Sequence, residues 1–306
     1  MTLQQLRQVL TIAESNSMNE AAKKLFVSQP NLSATVREVE EELGITVFMR
    51  NNRGITVTAE GEEFLGYAKQ VVEQYHLLEN RYLNVESKKK FSVSMQHYSF
   101  AVKAFVQLAK EVGMDEYEFA VHETKTKEVI DNVKNLKSEI GVLYLSDFNE
   151  KVLRKLFKEC DIEFKELFTC NTYVYLWKKH PLAGQKEITL DDLQEYPCLT
   201  FEQGVNNSFY YAEEMMSTYE YKRVIKADDR ATMLNLMVGL NGFTLCSGII
   251  SEDLNGDDYA AIPLKESEKM HIGYIKHKGT KLSKLGEIYI CLLYTSDAAD
   301  DTPCVD

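Results

Sequence analysis

The sequence lacks the features that mark several common classes of protein. Among its 306 residues the six cysteines never form a Cys-x-x-Cys pair, and the six histidines lack the spacing of metal ligands. We therefore expect free, mostly buried thiols in a reducing compartment, and no metal site. The chain also lacks a signal peptide and an apolar run long enough to span a bilayer. These absences predict a cytoplasmic protein with no membrane partner.

Catalytic signatures are missing as well. The sequence contains no Gly-x-Ser-x-Gly elbow, no phosphate-binding loop ending in Gly-Lys-Ser/Thr, and no His-Glu-x-x-His helix. Residues 239–242, Gly-Leu-Asn-Gly, do not match a phosphate loop and predict a turn between a helix and a strand. We therefore expect no catalytic residue, no cofactor and no enzymatic activity.

The sequence has fewer basic residues than acidic ones, and its formal net charge is −12. This excess of acid looks wrong for a protein that binds nucleic acid, but it is unevenly distributed. In residues 1–58, six basic side chains balance six acidic ones, so nearly all of the excess lies further along the chain. A neutral N-terminal region can bind DNA, and dimerisation would bring its few positive charges together.

The segment from Ser28 to Leu43 has the pattern of a helix that reads DNA. Ser28 suits the N-cap, because its hydroxyl can accept a free backbone N–H of the first turn, where Pro30 is also tolerated. Apolar residues at spacings of four, three and four predict one buried stripe, formed by Leu32, Val36, Val39 and Leu43. The outward residues of the first half are small or carry amides, which suits contact with base edges and phosphates. This pattern predicts the second helix of a helix-turn-helix.

The flanking segments complete a winged helix-turn-helix over residues 1–58. Residues 3–13 have helical spacing, Ser17 and Glu20 have the spacing of a capping box, and Gly44 is a natural helix end. Residues 47–57 predict a β-wing with Arg50 and Arg53 near its tip, where arginine can reach a phosphate or the minor groove. The alternative is a small helical domain whose hairpin binds protein.

Several runs in this region closely resemble the LysR-type transcriptional regulators: AAKKLFVSQPNLS at residues 21–33, EVEEELG at 38–44 and TAEG at 58–61. In that family the start of the second helix and the wing contact operator DNA, and by residue match Gln29, Pro30, Ser33 and Arg53 inherit this role. Many members carry Arg or Lys where this chain has Ala34, so the operator sequence cannot be carried over. The full set of expected DNA contacts is Ser28, Gln29, Pro30, Asn31, Ser33, Thr35, Arg37, Arg50 and Arg53.

A long helix is predicted after Thr58, with apolar residues alternating at spacings of four and three. These residues are Phe64, Ala68, Val71, Tyr75, Leu78 and Tyr82. Such a heptad seam on a helix of about 45 Å is too long for the N-terminal domain to cover, so we predict pairing with a second copy. The family resemblance implies the same dimerising helix, and the alternative is packing on its own C-terminal domain. The linker is expected to span residues 59–90, ending in a charged hinge at the lysines 88–90.

Residues 91–290 alternate between strand and helix patterns, which predicts two α/β lobes and an α+β multidomain protein overall. The strands of the first set are predicted at 91–95, 117–123 and 140–145. A second set begins near Ile162, with strands at 173–177, 199–201 and 243–246 and helices at 207–218 and 230–238. A strand at 270–275 is predicted to return to the first set. Lobe I is therefore expected at about 91–160 and 266–290, and lobe II at about 161–265.

This two-lobed arrangement resembles the periplasmic binding proteins, a fold that is also the effector domain of LysR-type regulators. Ligands of α/β sheets bind beyond the carboxyl ends of strands, where helix N-termini present free N–H groups. The expected effector contacts are Gln96, Tyr98, Ser99, Thr124, Thr126, Phe201, Gly204, Asn206 and Ser208. The alternative for Ser99, Thr126 and Ser208 is that they only cap helices. No cluster of basic side chains fixes the charge of the effector.

Residues 291–306, CLLYTSDAADDTPCVD, break the preceding pattern. A helix predicted at 281–290 should continue to an apolar end in this family, but it runs instead into a string that matches the translation of a transposase sequencing adapter. We expect this tail to be non-native. The alternative is a genuine acidic tail.

These observations identify the chain, by resemblance, as a LysR-type transcriptional regulator. The expected partners are double-stranded DNA, a small-molecule effector, a second copy of the chain as dimer or tetramer, and RNA polymerase. A competing interpretation is a solute-binding protein whose N-terminal domain docks protein, which predicts no salt-sensitive DNA binding. A third is an enzyme in the cleft, which predicts turnover.

Overall fold

A computed structural model describes residues 1–15, 17–51, 54–82, 88–113, 116–206, 208–250 and 252–295. The chain divides into two compact units, Met1–Ser87 and Lys88–Asp306, which we call unit 1 and unit 2. The predicted α+β class is confirmed. No helix within the described ranges is both long and apolar enough to cross a membrane.

Unit 1 consists of three short helices, a hairpin and a long helix. The bounds are α1 Leu3–Ala13, α2 Met18–Lys24, α3 Gln29–Leu43, β1 Phe48–Asn51, β2 Gly54–Val57 and α4 Ala59–Tyr82. Local caps fix where the short helices begin: Ser17 accepts the Glu20 N–H at 3.2 Å, and Ser28 accepts the Asn31 N–H at 3.4 Å. Gly44 ends α3 with a φ of 69°, a left-handed conformation that favours glycine.

The core of unit 1 lies between α1, α2 and α3. The predicted stripe is confirmed for Leu32, Val36 and Val39, which are buried with Val9 and Ile12 of α1. The prediction for Leu43 is wrong, because this residue occupies the last turn of α3, beyond the reach of the core, and is exposed.

Helix α4 begins at a close approach to the hairpin. Thr58 accepts the Gly61 N–H at 2.9 Å and so caps the first turn of α4. Gly61 is required there, because a Cβ would lie 2.4 Å from the carbonyl oxygen of Val47.

The predicted seam of α4 divides into two parts. Ala68 is buried against Leu6 of α1, and Phe64 packs against both α1 and the core of unit 1. The predicted place in the dimer seam is therefore wrong for Ala68, which is fully covered within unit 1, whereas it stays a prediction for Phe64, which is only half-buried. A heptad pattern shows which face is apolar but not which neighbour covers it. Val71, Tyr75 and Leu78 are exposed. Tyr82 ends α4, and its side chain lies outside the described part.

Unit 2 contains a first lobe built on a mixed sheet in the order β4-β3-β5-β12-β6. Its elements are β3 Lys89–Met95, α5 Ser99–Val112, β4 Tyr117–Glu123, α6 Thr126–Lys134, β5 Ile140–Leu145, α7 Glu150–Glu159, β6 Ile162–Cys170, β12 Met270–His277 and α10 Lys284–Thr295. Strand β5 is buried throughout, as expected of a strand covered on both faces.

Two predicted boundaries in this lobe are wrong. Lys89 and Lys90 belong to β3, where they pair with Tyr117 and Glu118, so they are not a hinge. Strand β6 belongs to lobe I rather than lobe II, because it pairs with β12 along its whole length.

The last helix continues into the segment that is predicted to be non-native. Helix α10 runs past residue 290, and Leu292 and Leu293 are buried in the lobe I core. The non-native origin of the tail stays a prediction, and residues 296–306 lie outside the described residues.

The second lobe places β7 between β10 and β11 and pairs β8 with β9 in parallel. Its elements are β7 Tyr173–Trp177, β8 Cys198–Phe201, β9 Val224–Ala227, α8 Arg230–Leu240, β10 Thr244–Cys246, α9 Glu252–Asn255 and β11 Tyr259–Pro263.

The helix predicted at 207–218 is wrong. The described part of this segment contains only a 3-10 turn, Phe209–Tyr211, and Asn207 lies outside the described residues. Its backbone carbonyls serve other partners: Tyr211 O accepts the Thr126 hydroxyl at 2.7 Å, and Ala212 O accepts the Tyr144 hydroxyl at 3.0 Å. These bonds to lobe I replace those that a helix would make.

Candidate functional site

The outward face of α3 is polar in its first half. Pro30, Asn31 and Arg37 are exposed, and so is the N-cap Ser28. Gln29, Ser33 and Thr35 are half-buried. Two hydrogen bonds connect side chains within this face. Gln29 Nε2 donates to Ser33 Oγ at 2.8 Å, and Thr35 Oγ1 donates to the Asn31 carbonyl at 3.2 Å. The structure therefore brings these seven predicted residues together.

The second half of α3 carries acid. Glu41 and Glu42 are exposed; Glu41 pairs with Arg37 at 3.4 Å, and Glu42 pairs with the N-terminal ammonium group at 2.6 Å. Acidic side chains repel phosphates, so only the first half of the helix suits a nucleic acid.

The two predicted wing arginines are less fully described. Arg50 lies in β1 opposite Ile55 of β2, but its side chain is outside the described part of the chain. Arg53 lies outside the described residues altogether.

The turn before α3 holds a residue that the sequence interpretation missed. Phe26 is 96% exposed and has a φ of 54°. It follows the C-cap of α2 in a Schellman arrangement: Phe26 N donates to Lys23 O at 3.2 Å, and Val27 N donates to Ala22 O at 3.0 Å. Glycine is the usual residue at this position, and the phenylalanine ring here is almost fully exposed.

A cavity of about 80 Å³ lies in unit 2 where the two lobes meet. Three of the nine predicted effector residues line it: Tyr98, Ser99 and Phe201. The rest of the wall comes from segments far apart in the chain, namely 97, 175, 213–214, 230–234, 244–250, 255 and 270. The sequence alone offered no sign of these, because they meet only through strand pairing and lobe contact.

Two other predicted residues hold the fold instead. Gln96 is buried, and it donates to Thr126 Oγ1 at 2.6 Å while its Oε1 accepts the Tyr98 hydroxyl at 3.0 Å. Thr126 in turn donates to Tyr211 O. With their hydrogen bonds satisfied inside the protein, Gln96 and Thr126 do not line the cavity.

The remaining four predicted residues lie away from the cavity wall. Thr124 donates to Glu128 one turn further along. Gly204 has a φ of 64° beside Lys125. Ser208 precedes the 3-10 turn without capping it by its side chain, and its N–H donates to Asn206 O at 2.8 Å.

A buried carboxylate connects the lobes beside the cavity. Glu213 Oε2 lies 2.7 Å from His97 Nδ1 and accepts the His97 backbone N–H at 3.0 Å. Its Oε1 accepts Gln203 Nε2 at 2.9 Å. The His97 ring also stacks on Phe201, with 3.6 Å between ring centroids. Glu213 therefore holds groups from both lobes at once.

The carboxyl group of the next residue, Glu214, differs in its protonation state. Glu214 Oε1 accepts the Phe201 N–H at 2.8 Å, yet burial and the nearby Glu213 raise the pKa of Glu214 to about 8. Its carboxyl group is therefore mostly protonated at neutral pH. Burial also raises the pKa of the Cys246 thiol, which lines the same cavity, to about 12.

Ion pairs bridge the lobes at the edge of the cavity. Arg230 of α8 pairs with Glu123 of β4, and Lys125 Nζ lies 3.3 Å from Asp228 Oδ1. Among the residues that the structure describes, no group of three His, Cys, Asp or Glu side chains is arranged to hold a metal ion.

Comparisons with known proteins agree with this geometry. The bacterial regulatory helix-turn-helix family, lysR family, matches residues 3–62, and the LysR substrate binding domain matches residues 96–288. The HTH-type transcriptional regulator CysL of Bacillus subtilis is 25% identical over 300 residues, covering 94% of this chain and 95% of CysL.

Solved structures show the same fold. A full-length OxyR variant from Pseudomonas aeruginosa matches with a TM-score of 0.68 at 19% identity, covering 97% of this chain and 94% of that one. The LysR family regulator CbnR, solved in complex with its target DNA, matches with a TM-score of 0.58 at 17% identity, covering 97% and 100%. The two matched domains span most of the chain, which therefore belongs to the LysR family of DNA-binding transcriptional regulators with an effector-binding domain.

Proposed function

We propose that the first half of α3 reads operator DNA. The observation that carries this proposal is the exposed polar face from Ser28 to Arg37, which is followed on the same helix by acidic residues. Gln29 can present its amide to a base edge, while Ser28, Asn31 and Arg37 are placed to contact phosphates. Phe26, exposed in the preceding turn, extends this surface, and Arg50 and Arg53 stay predicted contacts of the wing.

Footprinting on the DNA upstream of the gene tests this proposal. We expect wild type to protect an interrupted palindrome with an affinity that falls steeply as salt rises. Gln29→Ala should weaken protection by about tenfold or more, because one bidentate base contact contributes about 1–3 kcal/mol of discrimination. Glu42→Gln, on the acidic half of α3, is the matched control and should lose nothing, because the partner of Glu42 is the N-terminal ammonium group. Equal loss in both variants, or no protection at low salt, would contradict the proposal.

We further propose that α4 dimerises through its exposed apolar face. Val71 and Leu78 are 51% and 55% exposed, and Tyr67 and Tyr75 flank them. Leu78→Glu should convert the dimer to a monomer, as measured by sedimentation, because it places a charge at the seam. Glu73→Gln, exposed elsewhere on α4, is the control. A dimer that survives Leu78→Glu would exclude this seam.

We propose that the cavity between the lobes binds the effector. The ion pairs Arg230–Glu123 and Lys125–Asp228 join the lobes next to it. A ligand there would favour one lobe arrangement over another by its differential affinity. The lobes then have a binding role rather than a catalytic one.

RNA polymerase is the protein partner that we propose, because a regulator bound at a promoter acts on transcription. The site of action is accordingly the cytoplasm, where the bacterial chromosome lies. Transcription reconstituted from the footprinted promoter, with and without the protein, measures both the effect and its sign.

A further inference from the structure

Two side chains that line the cavity carry buried hydroxyl groups. Tyr175 of β7 and Thr244 of β10 lie directly opposite each other in the antiparallel register, so their side chains share one face of the sheet. Both line the cavity and are buried, with 8% and 6% of their surface exposed. Within the described part of the chain, Thr244 Oγ1 has no hydrogen-bond partner, and Tyr175 Oη has only a poorly oriented contact with the side chain of Asn255. Buried hydroxyl groups normally have a partner, so a ligand atom is the natural candidate.

The wall around these hydroxyls is mainly apolar. Met233 and Leu234 of α8 contribute to it, as do Ile249 and Ile250 after β10 and Met270 of β12. A site with an apolar wall and a few convergent polar groups is typical of a small-molecule pocket. The hydroxyls would fix the orientation of the ligand, and the apolar wall would supply most of its affinity.

The charged residues of the wall favour neither an anion nor a cation. An anion would approach Glu213 and Glu214, while Arg230, a basic residue of the described wall, is already paired with Glu123. A cation would find the Glu213 carboxylate occupied by His97 and Gln203. The Glu214 carboxyl group is mostly protonated at neutral pH, because burial raises its pKa. Both ions would therefore lose hydration without gaining a free counter-charge.

We infer that this cavity takes an uncharged, mainly apolar small molecule with an oxygen acceptor, such as a ketone, an ester or an alcohol. Its oxygen accepts hydrogen bonds from Tyr175 and Thr244. The volume of about 80 Å³ limits the ligand to a few heavy atoms, since a cavity of about 150 Å³ holds benzene. This inference rests on the proposed role of the cavity as the effector site and names its ligand class.

Three probes of one size, each with four heavy atoms, test the ligand class on the full chain. They are acetone, which is neutral, acetate, which is an anion, and isopropylamine, which is a cation at neutral pH. Ligand-observed NMR gives their dissociation constants at up to about 10 mM, a range suited to ligands with so few atoms. We expect acetone to bind and the two ions to bind at least tenfold more weakly.

Two variants test the hydroxyls. Thr244→Val and Tyr175→Phe should each weaken acetone binding by about three- to tenfold, the effect of one lost hydrogen bond. Without ligand, both should melt at or above the wild-type temperature, because each removes a buried hydroxyl that has no good partner. A purely structural role for these hydroxyls predicts a lower melting temperature instead. Tyr196→Phe, a lobe II tyrosine outside the cavity wall, is the control and should change neither value.

Three results would overturn the inference: tighter binding of the carboxylate or the amine, ketone binding unaffected by both variants, and no binding of any probe. The first leaves an effector cavity of different chemistry, so the proposed function survives it. DNA reading is tested separately by the footprint, which uses no ligand.

Discussion

The two units build their sites in opposite ways. The candidate DNA surface of unit 1 comes from one continuous run, residues 26–37, and its polar side chains are exposed or half-buried. The cavity of unit 2 gathers residues from 97 to 270, and its key polar side chains, Glu213, Glu214 and Thr244, are buried. Most side chains of an exposed site can change with little effect on the fold, whereas a buried polar site couples ligand binding to stability.

The largest expected effect is on Glu213. Glu213→Ala should lower the free energy of unfolding of unit 2 by about 3–5 kcal/mol, because it leaves His97 and Gln203 without their buried acceptor. Trp177, the single tryptophan of the sequence, lies in β7 and reports the unfolding of unit 2 by its fluorescence.

Glu220→Ala is the matched control, since Glu220 is exposed on the same segment. It should change stability by less than about 0.5 kcal/mol. Equal effects of the two substitutions would show that the buried site is no more coupled to the fold than the exposed one.

The second prediction concerns pH and Glu214. An unfolded glutamate ionises near pH 4.5, whereas the folded pKa of Glu214 is about 8, so the folded state holds an extra proton between these values. The contribution of Glu214 to stability is therefore full below about pH 4.5 and is lost as pH rises toward 8. Glu214→Gln, which can still accept the Phe201 N–H, should remove this loss, about 2–4 kcal/mol between pH 5 and pH 8.

The measurement is the difference in unfolding free energy between Glu214→Gln and wild type at several pH values, followed by Trp177 fluorescence. Titration of other groups cancels in that difference. A difference that stays constant with pH would show that Glu214 is ionised in the folded protein at neutral pH.

The contrast between the units also explains what the sequence could predict. In unit 1 the caps Ser17, Ser28 and Gly44 act on residues within one turn, so local patterns located α2 and α3 correctly. In unit 2 the continuous apolar run of β5 likewise predicted a buried strand from the sequence alone. The cavity was not, because Tyr175 and Thr244 meet only through the pairing of β7 with β10.

The wrong predictions have the same cause. Residues 209–217 have a composition that suits a helix, but distant side chains from lobe I take their carbonyl groups. Ala68 fits a heptad seam, but its neighbour is Leu6 of α1. In both cases the deciding partner lies far away in the sequence, where periodicity carries no information.

The smallest expected effect would separate stability from DNA binding in unit 1. Phe26→Gly should raise the free energy of unfolding of unit 1 by about 0.5–1 kcal/mol, because it relieves a left-handed backbone that costs about 1–2 kcal/mol. The gain is partial, since glycine makes the unfolded chain more flexible. The same change should weaken operator binding, because the ring is almost fully exposed beside the N-terminus of α3.

Phe26→Ala distinguishes these two effects, because it removes the ring but keeps the left-handed strain. We expect it to weaken DNA binding as much as Phe26→Gly does, without the gain in stability, as measured by thermal melting of the helical signal and by footprinting. If instead Phe26→Ala destabilises unit 1, the ring contributes to the fold. Phe26, the most exposed residue of the candidate DNA surface, would then contribute to stability as well as to DNA binding.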